Sequence, residues 1–146
     1  MPQDGLPPDG LDDAAIARIL ADTRRIALLG ASSKPDRPAN TIQALLQRAG
    51  YHVTPVNPGL AGQKLHGQTV VANLDEAAPL DMIDVFRASA FLPAIVADAI
   101  RLGARTLWTQ LGVVDLAAAA QARAAGITVV MDRCPSIEMR RLGIRP

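Results

Sequence analysis

The residues best placed to do chemistry lie between Arg25 and Pro38, in the run RIALLGASSKPDRP. An apolar stretch ends at Gly30. The small residues Ala31, Ser32 and Ser33 follow, then the cations Lys34 and Arg37, and Pro38 opens a helical pattern. A helix N-terminus carries unpaired backbone N–H groups and a partial positive charge, and proline suits its first position. Small side chains let a ligand approach the main chain, and arginine can meet phosphate oxygens with two N–H groups at once. A strand, a small-residue loop and a helix in this order have the makings of a phosphate site.

The elements that must position such a loop follow from periodicity. Strands are expected at Arg25–Leu29, His52–Val56, Asp81–Phe86, Arg105–Gln110 and Ile127–Met131, with a short one at Thr69–Ala72. Helices are expected at Leu11–Asp22, Ala39–Ala49, Leu92–Leu102, between Asp115 and Gly126, and at Ser136–Leu142, with a helical turn at Leu74–Ala78. Apolar spacing supports them: Ile42, Leu45, Leu46 and Ala49 share one stripe, and Leu92, Ile95, Val96, Ala99 and Ile100 another. Residues 59–68, with three glycines, read as loop. Gly50, Gly103 and Gly126 each close a helix just before a strand begins. Strands that are continuous apolar runs, alternating with helices, predict a doubly wound, mainly parallel sheet in a three-layer α/β/α fold.

The 146 residues are 49% hydrophobic but only 3% aromatic, so the core is aliphatic and alanine-rich. That length suits one domain. Residues 1–10 read as a flexible leader and 11–146 as the domain. A net charge of +1 makes no demand for nucleic acid or an acidic membrane. The acidic, proline-containing start lacks the form of a secretory signal, and no apolar run approaches the roughly 18 residues of a membrane span. A single cysteine, Cys134, excludes an internal disulfide framework. A cytoplasmic location is the expectation.

In doubly wound sheets the ligand lies beyond the carboxyl ends of the strands. That edge should carry Gly30, Ala31, Ser32, Ser33, Lys34 and Arg37 after the first strand, and Asn57 and Pro58 after the second. Arg87 and Ser89 follow the third; Gln110, Leu111 and Gly112 the fourth; Asp132, Arg133 and Cys134 the last. It is rich in cations and amides and suits a phosphorylated ligand. A nicotinamide cofactor fits poorly. Of the G-x-G-x-x-G pattern only Gly30 remains, and the second strand ends in Asn57-Pro58 where an acid would hold the ribose.

These segments resemble the small stand-alone coenzyme A-binding proteins, whose Rossmann-like domain is related to the CoA-binding domain of the succinyl-CoA synthetase alpha subunit. The matching pieces are GASSKPDRP at 30–38, GYHVTPVNP at 50–58, LHG at 65–67, DMIDVFR at 81–87, LWTQLGV at 107–113 and GITVVMDRC at 126–134. They occur in order across about residues 24–142. The resemblance implies that Gly30, Ala31, Ser32, Lys34 and Arg37 border the diphosphate and 3′-phosphate of coenzyme A. It implies that Val56, Asn57 and Pro58 border the nucleotide, with Phe86 and Arg87 on the next loop. The synthetase takes its phosphorylated histidine from a further domain, which has no match in this chain.

The remaining candidates are weaker. Gln110 and Gly112 stand at a strand end within reach of ligand. Cys134 beside Arg133 could be a reactive thiol, although a partly buried structural thiol is the plainer reading. His52 and His66 have no partner at metal-ligand spacing, and no nucleophile elbow or Ser-His-Asp order can be drawn. The expectation is therefore a protein that binds coenzyme A or an acyl-CoA without a catalytic residue or metal, as a binding or regulatory protein whose protein partner is unidentified. The alternatives are an NAD(P)-type oxidoreductase or an acyl-transfer enzyme using the same cleft.

Overall fold

The computed structural model describes residues 8–144. Five strands form one parallel sheet: β1 (Arg25–Leu29), β2 (His52–Val56), β5 (Met82–Val85), β6 (Thr106–Thr109) and β7 (Thr128–Val130). Their spatial order is β2-β1-β5-β6-β7, with Ile26 opposite both Val53 and Met82, and Ile83 opposite Leu107. The chain first winds outward from β1 to β2, then crosses back and builds in the other direction from β5. The order therefore reverses between β1 and β5, where doubly wound sheets open a crevice.

Alternation along the strands divides the core. Ile26, Leu28, Met82, Trp108 and Val130 point to one face, covered by α1 (Asp13–Asp22), α2 (Pro38–Arg48) and α6 (Pro135–Arg141). Ala27, Ile83, Val85, Leu107 and Val129 point to the other, covered by α3 (Leu74–Ala77), α4 (Leu92–Leu102) and α5 (Leu116–Ala124). This is the expected doubly wound three-layer α/β/α fold. The α5 face is almost all alanine: Ala118, Ala119 and Ala122 let that helix lie close to the sheet.

Several expectations need correction. Residues 59–68 are not plain loop: a 3-10 turn at Pro58–Leu60 leads into a small antiparallel hairpin, β3 (Lys64–Leu65) and β4 (Gln68–Thr69). Its tight turn is made by His66 and Gly67, both at positive φ. The short strand expected at Thr69–Ala72 is instead the end of β4 and a lone bridge from Val71 to Val56. Ile100, expected to face inward, is 45% exposed. The expected leader falls partly outside the described residues, 1–7. Of the rest, Asp9 is no free residue: its carboxylate, with a fully buried side chain, takes hydrogen bonds from Arg133 Nε and Nη2 and from the Met131 and Leu11 N–H groups.

Candidate functional site

The loop after β1 owes its shape to Gly30. Its φ is +94°, and a Cβ there would fall 2.6 Å from the Phe86 carbonyl oxygen and 3.2 Å from Arg87 Cδ. Only glycine lets the β1 and β5 loops meet this closely across the switch point. The loop then turns into α2 with Arg37 at the N-cap position and Pro38 at the first turn; no side chain among the described residues caps that N-terminus. Pro38 has no N–H and those of Asn40 and Thr41 go to the Arg37 carbonyl at 3.0 and 3.2 Å, so the end of α2 brings the Ala39 N–H and the helix dipole to the same crevice as the two loop cations.

That crevice has a volume of about 910 Å³, at the large end of the range for small-molecule sites. Gly30, Ser32, Lys34, Arg37 and Pro38 form one wall, and Phe86, Arg87 and Gln110 the floor and opposite side. Lys34, Arg37 and Arg87 take part in no ion pair among the described residues, whereas Arg101, Arg133 and Arg141 are all paired. Arg87, which also lines the crevice, lies over the Phe91 ring, 4.2 Å from its centroid.

Ala31, Ser33, Val56, Asn57, Pro58, Gly112 and Arg133, also placed at the strand edge, do not line this crevice. The N–H groups of Gly30 and Ala31 are spent on the Val56 carbonyl, at 3.0 and 3.2 Å. Ala31 and Val56 are buried. Asn57 knits the two loops, donating from Nδ2 to the Ala31 carbonyl and accepting at Oδ1 from the Gly59 N–H. Pro58 begins the 3-10 turn beside it. Ser33 is exposed outside the crevice wall. Gly112 shapes the next loop instead of lining it. Its φ is +80°, and its N–H donates to Asp132 Oδ1 at 2.6 Å. Arg133, read as a cation of this edge, is turned away into its pairs with Asp9 and Glu138 at 2.8 Å each.

Sequence reasoning missed part of the lining. Asp36 brings an acid beside the cations, and Thr41 and Ile42 enter from the second turn of α2. Val113, also missed, joins Leu111, which was expected at this edge and is 58% exposed, in an apolar side, because the Thr109 hydroxyl, donating to the Val113 carbonyl at 2.6 Å, folds their loop over. Their i+3 and i+4 spacing from Pro38 was the available signal for Thr41 and Ile42. Cys134 also lines the crevice while packing against the α1/α2/α6 side of the core.

One group beneath the floor stands out. Asp84, on the central strand β5, is completely buried between Leu28 and Trp108 in register. Gln110 Nε2 donates to its Oδ1, and its Oδ2 has no partner among the described residues. Burial pushes this carboxyl up to about 8, only partly offset by the Gln110 hydrogen bond. A smaller hollow, about 380 Å³, lies at the opposite edge between α1 and the start of β6 and β7. Of its two acids, Asp22 and Asp81, the second is already engaged: the N–H groups of Arg25 and Arg24 hydrogen-bond it and hold it below the usual carboxylate range.

Fold and crevice together define a doubly wound α/β domain with a cationic site at the β1/β5 switch point. More narrowly, residues 24–140 match the CoA binding domain family, and the chain belongs to it. It is similar to the uncharacterized protein YneT of Bacillus subtilis, 36% identical over 122 residues, which span 83% of this chain and 89% of that one. A solved structure of cell-free ID.343 from Thermus thermophilus is 36% identical, covers 90% of this chain and 99% of its own, and superposes with a TM-score of 0.85. A hypothetical protein from Pyrococcus horikoshii OT3 is 34% identical, covering 97% and 99%, with a TM-score of 0.88.

Proposed function

We propose that this protein binds coenzyme A or an acyl-CoA in the crevice beyond β1 and β5, and acts by binding rather than by catalysis. The observation that carries the reading is the set Lys34, Arg37 and Arg87, outside any ion pair among the described residues, beside the uncapped N-terminus of α2. Three cations and a helix end suit a ligand with a diphosphate and a further phosphate better than one with a single charge. Membership of the CoA binding domain family supports the same ligand. Leu111 and Val113 give the pantetheine arm or an acyl group an apolar surface. Against NAD stands the Asn57-Pro58 end of β2, where Asn57 is committed to the neighbouring loops.

The test is calorimetry of the purified protein with CoA, acetyl-CoA, NAD and NADP. CoA or acetyl-CoA should bind more tightly than either dinucleotide, and mass spectrometry of gently purified protein should release the same ligand. Equal or tighter binding of NAD removes this reading. Acyl-CoA hydrolysis above background that vanishes in Cys134→Ala would move the protein to the enzymes.

A further inference from the structure

Asp84 has a proton to place and only Gln110 to receive it. If the carboxyl were ionised, Gln110 Nε2 would satisfy Oδ1, but the negative charge would be buried with Oδ2 unpartnered. If it were neutral with the proton on Oδ2, an O–H donor would be buried without an acceptor. If it is neutral with the proton on Oδ1, the proton goes to Gln110 Oε1 once the amide is turned over, and only a carbonyl-type oxygen is left bare. The last arrangement costs least, because an unpaired buried charge is worst and bare carbonyl oxygens are tolerated better than bare donors. Turning the amide leaves its shape unchanged, since oxygen and NH2 are nearly the same size.

Gln110 is 9% exposed and lines the crevice. Its amide has two ends, and whichever end faces Asp84 determines what the other end offers. We infer that Asp84 donates its proton to Gln110 Oε1 and thereby turns the Gln110 NH2 group toward the crevice, where it donates to an acceptor oxygen of the ligand. Asp84 is then a positioning residue that never touches ligand. Its state sets the polarity of the floor: a donor faces the ligand while the acid is neutral, and an acceptor once it ionises. The raised carboxyl places that change in the mildly alkaline range. This rests on the CoA reading for the identity of the ligand, an amide- and phosphate-bearing molecule rich in acceptor oxygens.

The charged and titratable groups around the pair are Arg87 beyond its own strand, and Lys34, Asp36 and Arg37 on the loop before α2. From α6 and its approach come Arg133, Cys134 and Glu138. None hydrogen-bonds to Asp84, and Arg133 is bound to Asp9 and Glu138. Their own titration is common to wild type and variants, so it cancels in a ratio of affinities.

The experiment measures CoA affinity of wild type, Asp84→Asn and Gln110→Met at pH 6.5 and 9.5. An asparagine at 84 leaves the fewest donors bare with its NH2 toward Gln110 Oε1 and its oxygen at the unpartnered Oδ2 position, so it holds the neutral-acid arrangement at both pH values. Asp84→Asn should match wild type at pH 6.5 and bind about five- to tenfold more tightly than wild type at pH 9.5, the worth of one hydrogen bond. Gln110→Met should bind about five- to tenfold more weakly than wild type at pH 6.5, and the gap should close at pH 9.5. Ratios that stay constant between the two pH values overturn the inference while leaving CoA as the ligand. If Asp84→Asn does not fold, the Gln110→Met ratio decides alone. If wild type binds no CoA at either pH, the proposed function fails, and NMR of the apo protein decides the inference separately. The Gln110 side-chain NH2 signals should then titrate with the Asp84 carboxyl carbon; flat signals overturn it.

Discussion

A buried acid and two exposed cations make opposite demands on this fold. Asp84 favours the folded state only while protonated. Its carboxyl sits at about 8 in the folded protein against 3.8 for the unperturbed group, so its contribution is fully present below about pH 4 and is lost as pH rises toward 8. Wild type should therefore lose about 3 kcal/mol of unfolding free energy relative to Asp84→Asn between pH 6 and pH 9, at about 1.4 kcal/mol per unit. Urea unfolding of both proteins at the two pH values measures this, and parallel curves would contradict the buried neutral acid. Lys34 and Arg37 are exposed and outside the core, so their loss should leave thermal melting of the apo protein unchanged. CoA affinity should fall about ten- to a hundredfold in Arg37→Ala, since a charged hydrogen bond is worth roughly 1.5–3 kcal/mol, and less in Lys34→Ala. Wild-type affinity in both variants would place the phosphates elsewhere.

Among the elements, the approach to α1 and the start of α6 are held by one buried ion cluster. Arg133 donates to Asp9, to Glu138 and to the Leu11 carbonyl, and its own carbonyl accepts from Trp108 Nε1 at 2.8 Å. Burial alone would raise Asp9, but the Arg133 hydrogen bond and the Leu11 and Met131 N–H groups outweigh it and hold the carboxyl low. Asp9→Ala should cost about 3 kcal/mol in urea unfolding near neutral pH, because it takes one of two carboxylates from a buried guanidinium and leaves its Nε–H without an acceptor. The cost should shrink as pH falls below the unperturbed value of 3.8, because there the unfolded carboxyl takes up a proton while the folded one, held lower, still resists it. An equal cost at all pH values would show packing, not charge, at work. This cluster also shows where sequence reading stops. The position of Arg133 just after β7 was legible from the apolar run before it, but its direction depends on Asp9, 124 residues away. The β3–β4 hairpin escaped for a related reason: strands of two residues show no alternation, and the glycines that signal loop also make its turn. The longer elements were legible because β1 and β2 are apolar runs and α2 and α4 each bury a periodic stripe.

For the whole molecule, the switch point between β1 and β5 brings together residues from four separate loops, and only the parallel sheet order makes Gly30, Phe86, Gln110 and Cys134 neighbours. The alternation of apolar strands and helices showed that such an edge exists. Which side chains turn into it depends on loop hydrogen bonds, as Asn57 and Gly112 illustrate. The crevice is open, with Lys34 and Arg37 exposed and Arg87 half-buried, so binding should depend strongly on ionic strength. The screening length falls from about 10 Å at 0.1 M salt to about 3 Å at 1 M, which removes the pull of cations not in direct contact with a phosphate. The apo protein, held mainly by apolar burial and with its buried ion cluster in direct contact at 2.8 Å, should melt at nearly the same temperature across that range. Saturating CoA should raise the melting temperature at low salt, in keeping with the stabilisation any ligand gives the state it binds, and the rise should shrink as salt is added. Dephospho-CoA, with one phosphate fewer, should give a smaller rise and a shallower salt dependence. Melting curves of the apo, CoA-bound and dephospho-CoA-bound protein at low and high salt make the comparison. Equal shifts for the two ligands at every salt concentration would mean that the 3′-phosphate meets none of Lys34, Arg37 and Arg87.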